Sequence, residues 1–242
     1  MSRSLRRIDL TPGYLLHQRP WRDSSRILEV FTREHGRLTL FARGVRGPNA
    51  KLSAVLQPFR LLLLSWSGRG EAPALTTAER GEHGAALPPA CFLPSCYLNE
   101  LLLRLTTRHD PLPQLFDDYH GTLCRLAAGA ALEPCLRIFE KRLLEQLGYG
   151  LDLASEAHSA QPIQAQRCYE FRPGQGFIAA RAHPAALTGR SLLSLAAEDL
   201  QDARALEDAR HVLSAALAQV LEGRPLATRA VAKSMLRKAA HS

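Results

Sequence analysis

The chain has 242 residues, 46% apolar and 22% charged, with 31 Lys/Arg against 23 Asp/Glu, a net charge of +8 and an isoelectric point near 9.7. This composition excludes a disordered polymer and is long enough for two or three small folded units, whose basic balance favours acidic partners. The longest apolar run, residues 61–64, is far too short to span a membrane, and MSRSLRRIDL lacks the apolar core of a secretory signal, so a cytoplasmic protein with no membrane partner is expected.

The charge is segregated. Residues 1–80 hold 14 Lys/Arg against 6 Asp/Glu, residues 81–150 hold 6 against 8, and residues 151–242 hold 11 against 9. The N-terminal third therefore carries the whole excess, and it reads as strand. Five short strands are predicted at about 14–17 (after the turn signal Thr11-Pro12-Gly13), 26–32, 37–43, 60–65 and 74–79. Within them RLTLFARGVRGPNAK runs from Arg37 to Lys51 without an acid and leaves the third strand for a long loop at 44–58. A cationic run held on β structure is an electrostatic footprint for a polyanion. Five strands in eighty residues predict a small barrel, with the OB-fold leading and an SH3-like barrel giving nearly the same pattern.

Beyond a linker at 81–94 the apolar period changes from two to about 3.6. Ser95 is placed as the cap of a helix carrying Tyr97, Leu98, Leu101, Leu102 and Leu105; Pro113 opens a second, and Pro134 a third that Gly148 stops. Residues 151–182 read as irregular, with a short strand near 168–171. Helical sequence resumes weakly at 196–201 and clearly at 202–221. The last twenty residues contain Arg224, Arg229, Lys233, Arg237 and Lys238 and no acid, a second basic element. The fold class is thus α+β: a five-stranded barrel over 1–80 and a mostly helical domain over 81–242, with an irregular insert at about 151–182.

No catalytic constellation stands out. GxSxG, P-loop and HExxH motifs are absent, and the nine histidines show no ligand spacing. Five cysteines, at 91, 96, 124, 135 and 168, form no CxxC and read as reduced thiols. His109-Asp110 and Asp117-Asp118 are adjacent pairs, which a helix points to different sides. No enzyme activity, cofactor or metal is expected.

The motifs, taken in order, resemble the bacterial recombination and repair mediator family RecO. They are GYLLHQRPWRDSSRILEVFTREHGRLTLFARGVRG, LQPF (56–59), SWSGRGE (65–71), YLNELLLRL (97–105), LFDDY (115–119), LRIFEKRLLEQLGYG (136–150), GFIAA (176–180) and GRPLATR (223–229). The resemblance spans almost the whole chain. It implies an N-terminal OB-fold with a helical domain, binding of single- and double-stranded DNA, and annealing of complementary strands. It also implies RecR and the acidic C-terminal tail of single-stranded DNA-binding protein as partners, with RecA loading as the indirect outcome. Many members carry four zinc-binding cysteines after the GYG motif; here residues 151–186 hold only Cys168, so no structural zinc is expected.

On this reading Arg37, Arg43, Arg46, Lys51 and Arg69 contact backbone phosphates, as annealing without sequence preference requires. Trp21, Phe41 and Trp66 are the aromatic candidates, Trp66 serving either as a base platform or as a barrel-core side chain. In the helical domain, Arg137 and Lys141 share a face four residues apart and could flank an acidic peptide, with Arg125 as a further candidate. An ordinary pattern of ion pairs with Glu140 and Glu145 is the competing account. An RNA-binding module with the same barrel, and an enzyme with a site between barrel and helices, are the alternatives from other classes.

Overall fold

A computed structural model describes residues 7–22, 24–44, 51–68, 70–82 and 86–239. The chain resolves into two compact units. One combines Met1–Gly129 with Leu226–Ser242, and the other is Ala130–Pro225.

The first unit is built on a closed five-stranded barrel of order β1-β2-β3-β5-β4, formed by β1 (Arg7–Trp21), β2 (Ser25–Thr32), β3 (Gly36–Ala42), β4 (Leu62–Ser67) and β5 (Ala74–Arg80). Alternation drives it: Leu28 and Val30 on β2 and Leu38, Leu40 and Ala42 on β3 turn inward with Leu15, Leu62, Leu64 and Trp66. Each such aliphatic side chain contributes about 1.5–3 kcal/mol on burial, so this cluster outweighs any single polar contact. Closure comes from a parallel meeting of Phe41 with Ala74, sealed by the Phe41 N–H donating to Pro73 O at 2.9 Å. This is the OB-fold arrangement.

The first strand is far longer than the sequence pattern predicts. Thr11-Pro12-Gly13 is not a turn but lies inside β1, where Pro12 pairs with Leu63 and Gly13 with both Leu62 and Thr32. Register shifts at Ile8/Thr11 and Leu15/His17 bend the strand so that it serves both neighbours. A Cβ on Gly13 would stand 2.9 Å from Leu64 Cδ1, so the glycine marks close approach of strands, not a change of direction. The loop expected at 44–58 contains a short helix, α1 (Lys51–Val55).

Three further helices complete this unit: α2 (Pro89–Leu105), α3 (Pro113–Ala127) and α7 (Ala227–Ala239). Helix α2 starts six residues before the expected cap. Pro89 occupies its first turn, and Ser95 lies buried in the helix interior. Asn99 of α2 donates to Leu16 O at 3.0 Å, tying the helix to β1. From α3, Phe116 packs against Phe31 and Tyr14 with ring centroids 5.7 and 5.6 Å apart. The Tyr14 hydroxyl lies 2.6 Å from His120 Nδ1, and burial pushes that phenol well above its ordinary value. Arg33 grips Asp117 through two bonds of 2.9 Å. The α2–α3 connector fits over the β2–β3 turn: the His109 N–H donates to Arg37 O at 2.8 Å, and a Cβ on Gly36 (φ 64°) would meet Asp110 O at 2.0 Å.

The second unit holds α4 (Leu132–Gln146), a three-stranded sheet, α5 (Gly189–Ala196) and α6 (Ala203–Val220). Leu136, Phe139, Leu143, Leu192, Leu195, Val212, Leu213 and Leu217 are among its buried apolar residues on these helices. The segment read as irregular is partly ordered β structure. Its strands β6 (Cys168–Arg172) and β7 (Gly176–Ala180) form a hairpin, with β8 (Leu187–Thr188) on the other side of β6. Thr188 caps α5 by accepting from Ser191 N at 3.1 Å, and Asp202 caps α6 by accepting from Ala205 N at 2.9 Å. The weak helical sequence expected at 196–201 is the end of α5 and the turn after it.

Candidate nucleic-acid interface

The outward face of the β2–β3 pair is a ladder of opposed residues: Phe31 with Arg37, Glu29 with Thr39, and Ile27 with Phe41. OB-folds bind oligonucleotides on this face and on the β1–β2 and β4–β5 loops. Here the ladder has two ends of different character. At one end Phe31 is buried under Phe116, and Arg37 is fully engaged. Its guanidinium donates to Glu29 Oε2 at 3.1 Å, Thr106 Oγ1 at 3.2 Å and Thr106 O at 2.7 Å. Glu29 also accepts from Thr39 at 2.8 Å and from Arg108 at 2.6 Å. Arg37 thus fastens the α2–α3 connector to the barrel and is only 13% exposed.

The other end is open. Arg19, Ile27 and Phe41 stand in one row across β1, β2 and β3, and Trp21 pairs with Ser25 in the next; Arg43 follows directly after β3. Arg19, Trp21, Arg22 and Arg43 are exposed, and Ile27 and Phe41 are half-buried. The Arg43 guanidinium sits 5.7 Å above the Phe41 ring, a cation–π contact that orients the charge while leaving it in solvent. Arg26, half-buried at the barrel rim, donates to Gln18 Oε1 at 2.9 Å. The open end thus presents two aromatic side chains, Trp21 and Phe41, with Arg19 in the row of Phe41 and Arg43 over its ring. Such rings can stack a base while the arginines meet phosphates.

The described residues among the expected phosphate contacts are placed as follows. Arg43 lies on this platform, and Arg37 lies at the covered end of the same face. Lys51 opens α1, and Arg46 and Arg69 lie outside the described residues. Arg19 and Arg22 were missed because the sequence pattern ends the first strand at His17; RPWR followed by SSR was the available sign of a basic hairpin tip. Trp66 belongs to the barrel core, 6% exposed, with its ring meeting His35 edge-on at 5.2 Å. Together with Leu38, Gly68, Pro73 and His109 these two line a cleft of about 460 Å³ beside the β4–β5 loop.

The residues expected to dock a protein partner are placed as follows. Arg125 is exposed near the end of α3 and donates to Thr122 Oγ1 at 3.1 Å. Arg137 pairs with Glu140 at 2.9 Å, both buried. Lys141 bonds Glu145 at 2.9 Å and Glu198 at 3.1 Å, and Arg142 joins it on Glu198. The Arg142 hydrogen bond, outweighing burial, holds the Glu198 carboxyl below its ordinary range, with Lys141 adding to the effect. Arg137 and Lys141 are thus engaged in the ion-pair pattern that competed with the docking account.

Among the described residues no group of three or more His, Cys, Asp or Glu side chains could hold a metal ion. Cys168 stands on β6 with no second cysteine anywhere in residues 151–242, which does not fit a four-thiolate zinc site. No helix among the described residues is long and apolar enough to cross a membrane.

Comparison with known proteins gives two family matches that together cover most of the chain. "Recombination protein O N terminal" matches residues 8–82 and "Recombination protein O C terminal" matches residues 95–230. Among curated proteins, the DNA repair protein RecO of Methylococcus capsulatus is 42% identical over 228 residues, 94% of each chain. The RecO of Nitrosococcus oceani is 39% identical over 234 residues, 96% of this chain and 95% of its own. That of an Azoarcus species is 37% identical over 236 residues, 95% of this chain and 97% of its own.

Proposed function

This chain belongs to the recombination protein O (RecO) family of DNA repair proteins, and from that premise we propose that it is a non-enzymatic mediator that binds single- and double-stranded DNA and anneals complementary strands. Together with RecR it helps place RecA on DNA coated with single-stranded DNA-binding protein. The observation that carries this reading is the open end of the barrel face, where Arg19 and Arg43 stand exposed beside Trp21 and Phe41. Phosphate contacts from these arginines hold a strand without regard to sequence, and the two rings receive its bases from their flat sides. Watson–Crick edges stay free, which pairing with a second strand demands. Arg46, Lys51 and Arg69 are the further proposed phosphate contacts, while Arg37 fastens the covered end of the same face to the α2–α3 connector.

For the acidic tail of the single-strand binding protein, the helical elements are the proposed dock. In the first unit the candidate is Arg125, which is exposed; in the second, Arg137 and Lys141 contribute only if their glutamate partners yield. The deciding experiment is annealing of complementary strands coated with single-strand binding protein. The parent chain accelerates pairing, and an Arg19→Ala/Arg22→Ala/Arg43→Ala variant with unchanged melting temperature loses that acceleration. Equal acceleration of RNA strands would move the reading to an RNA-binding module, and a parent chain that fails to anneal would sink it.

A further inference from the structure

Helix α7 is a cationic element for which the barrel has no use. Residues 223–242 carry Arg224, Arg229, Lys233, Arg237 and Lys238 and no acid. Glu222 pairs with Arg224, and Lys233 makes no ion pair among the described residues. The helix packs on α2 through the side that carries Ala232 and Thr228, and its start is clamped by Glu100. The Arg229 guanidinium lies 5.6 Å above the Tyr97 ring, which fixes its place on the surface. Lys233 follows one turn later, exposed, and position 237 is the next in that row.

We propose that α7 is a second strand-contacting element, in which the row Arg229, Lys233 and Arg237 takes successive phosphates of one nucleic-acid strand. The proposal rests on the reading of the chain as a DNA-binding mediator and adds a site to it. Four-residue steps advance about 6 Å along a helix, the order of the spacing between neighbouring phosphates on a strand. The row contains cations only. The exposed apolar residues Val231 and Met235 lie about half a turn round the helix from it, at roughly 100° per residue. A peptide-docking helix intersperses apolar anchors with its charges, and a membrane-surface helix sets cations along the edges of an apolar face. A row of cations half a turn from the exposed Val231 and Met235 matches the phosphate backbone, which offers charge and no apolar surface.

The test uses the full chain and a fluorescent oligothymidylate, titrated at several salt concentrations. Lys233→Ala/Arg237→Ala should flatten the slope of log K against log salt by about 1.4, from about 0.7 per released contact. Lys233→Glu should weaken binding further than Lys233→Ala, and both single variants, altering an exposed position, should melt with the parent. An Arg43→Ala arm, measured alongside, should flatten the slope independently. If the parent binds and Arg43→Ala responds while the α7 variants keep the parent slope, the α7 site is overturned and the DNA reading stands. If the parent binds no DNA, both fall. If the α7 variants bind DNA normally but lose affinity for phosphatidylglycerol vesicles or for a poly-glutamate peptide, α7 faces a membrane or a protein and the proposal is wrong.

Discussion

Glu100 and Thr228, far apart in sequence, are joined by two hydrogen bonds: the carboxylate accepts the Thr228 N–H at 2.9 Å and its hydroxyl at 2.7 Å. The Ala227 N–H adds a third at 2.8 Å. Two segments that carried the family resemblance separately, YLNELLLRL and GRPLATR, thus meet as an anion on the first turn of α7, satisfying N–H groups that the helix itself cannot.

Removing that anion should loosen α7 without dissolving the barrel. Glu100→Ala is expected to cost about 1–2 kcal/mol, the scale of a lost N-terminal cap. Amide exchange at residues 227–230 should accelerate, and trypsin should cut at Arg229 and Lys233 sooner than in the parent. Unchanged exchange at those amides would show that packing on α2 alone holds the helix.

The same carboxylate makes α7 docking dependent on acid. Burial raises the Glu100 pKa, but the Thr228 and Ala227 bonds, with the Arg104 charge, outweigh it and hold the group below its ordinary value. A carboxyl depressed on folding contributes fully above its unfolded value, near 4.3, and loses that contribution as pH falls through the folded one. Protection of the 227 and 228 amides should be flat from pH 7 to 5 and fall below about 4. In Glu100→Gln that acid-dependent loss should be absent; if it persists, another group controls the helix.

Arg37 and Arg43 should separate cleanly. Arg37→Ala leaves Glu29 and Thr106 short of a charged partner and should lower stability by about 2–3 kcal/mol, with little change in the salt slope of DNA binding. Arg43→Ala should leave melting within about 0.5 kcal/mol of the parent and flatten the slope by about 0.7 on single strands. The reverse pattern in denaturation and binding titrations would mean that the connector does not cover the Arg37 end of the face in solution.

Trp21 is 41% exposed, so its loss should be felt by the ligand more than by the fold. Trp21→Ala is expected to weaken single-strand binding by about 1–3 kcal/mol, the scale of one base stacked on an aromatic ring. Duplex binding should change little, because paired bases are already stacked on one another. Equal losses on both substrates would assign Trp21 to the hairpin's shape and not to base contact.

Much of the barrel was legible because its strands alternate. The predicted runs at 26–32 and 37–43 coincide with Ser25–Thr32 and Gly36–Ala42 to within a residue. What alternation could not show was a strand that bends: Pro12 and Gly13 look like a turn locally, and only pairing with both β2 and β4 makes them strand. Charge pointed to a third of the chain but could not separate its cations from one another. Arg37 and Arg43 lie six apart, on β3 and directly after it, and are equivalent to any local rule; Thr106 and Glu29 distinguish them. Arg137 and Lys141 were ambiguous for a related reason, since Glu198, which engages Lys141, lies in another element entirely.

Closure of the barrel at Phe41 and Ala74 decides how this protein can be approached. A sheet with a free edge can recruit a peptide by lending it backbone hydrogen bonds, an attachment that is largely indifferent to side chains and to salt. The barrel offers no such edge, since every one of its strands has two neighbours. Whatever it holds must be held by side chains projecting from a fixed frame. Its grip can therefore be strengthened, weakened or redirected one substitution at a time without disturbing the hydrogen-bonded scaffold beneath.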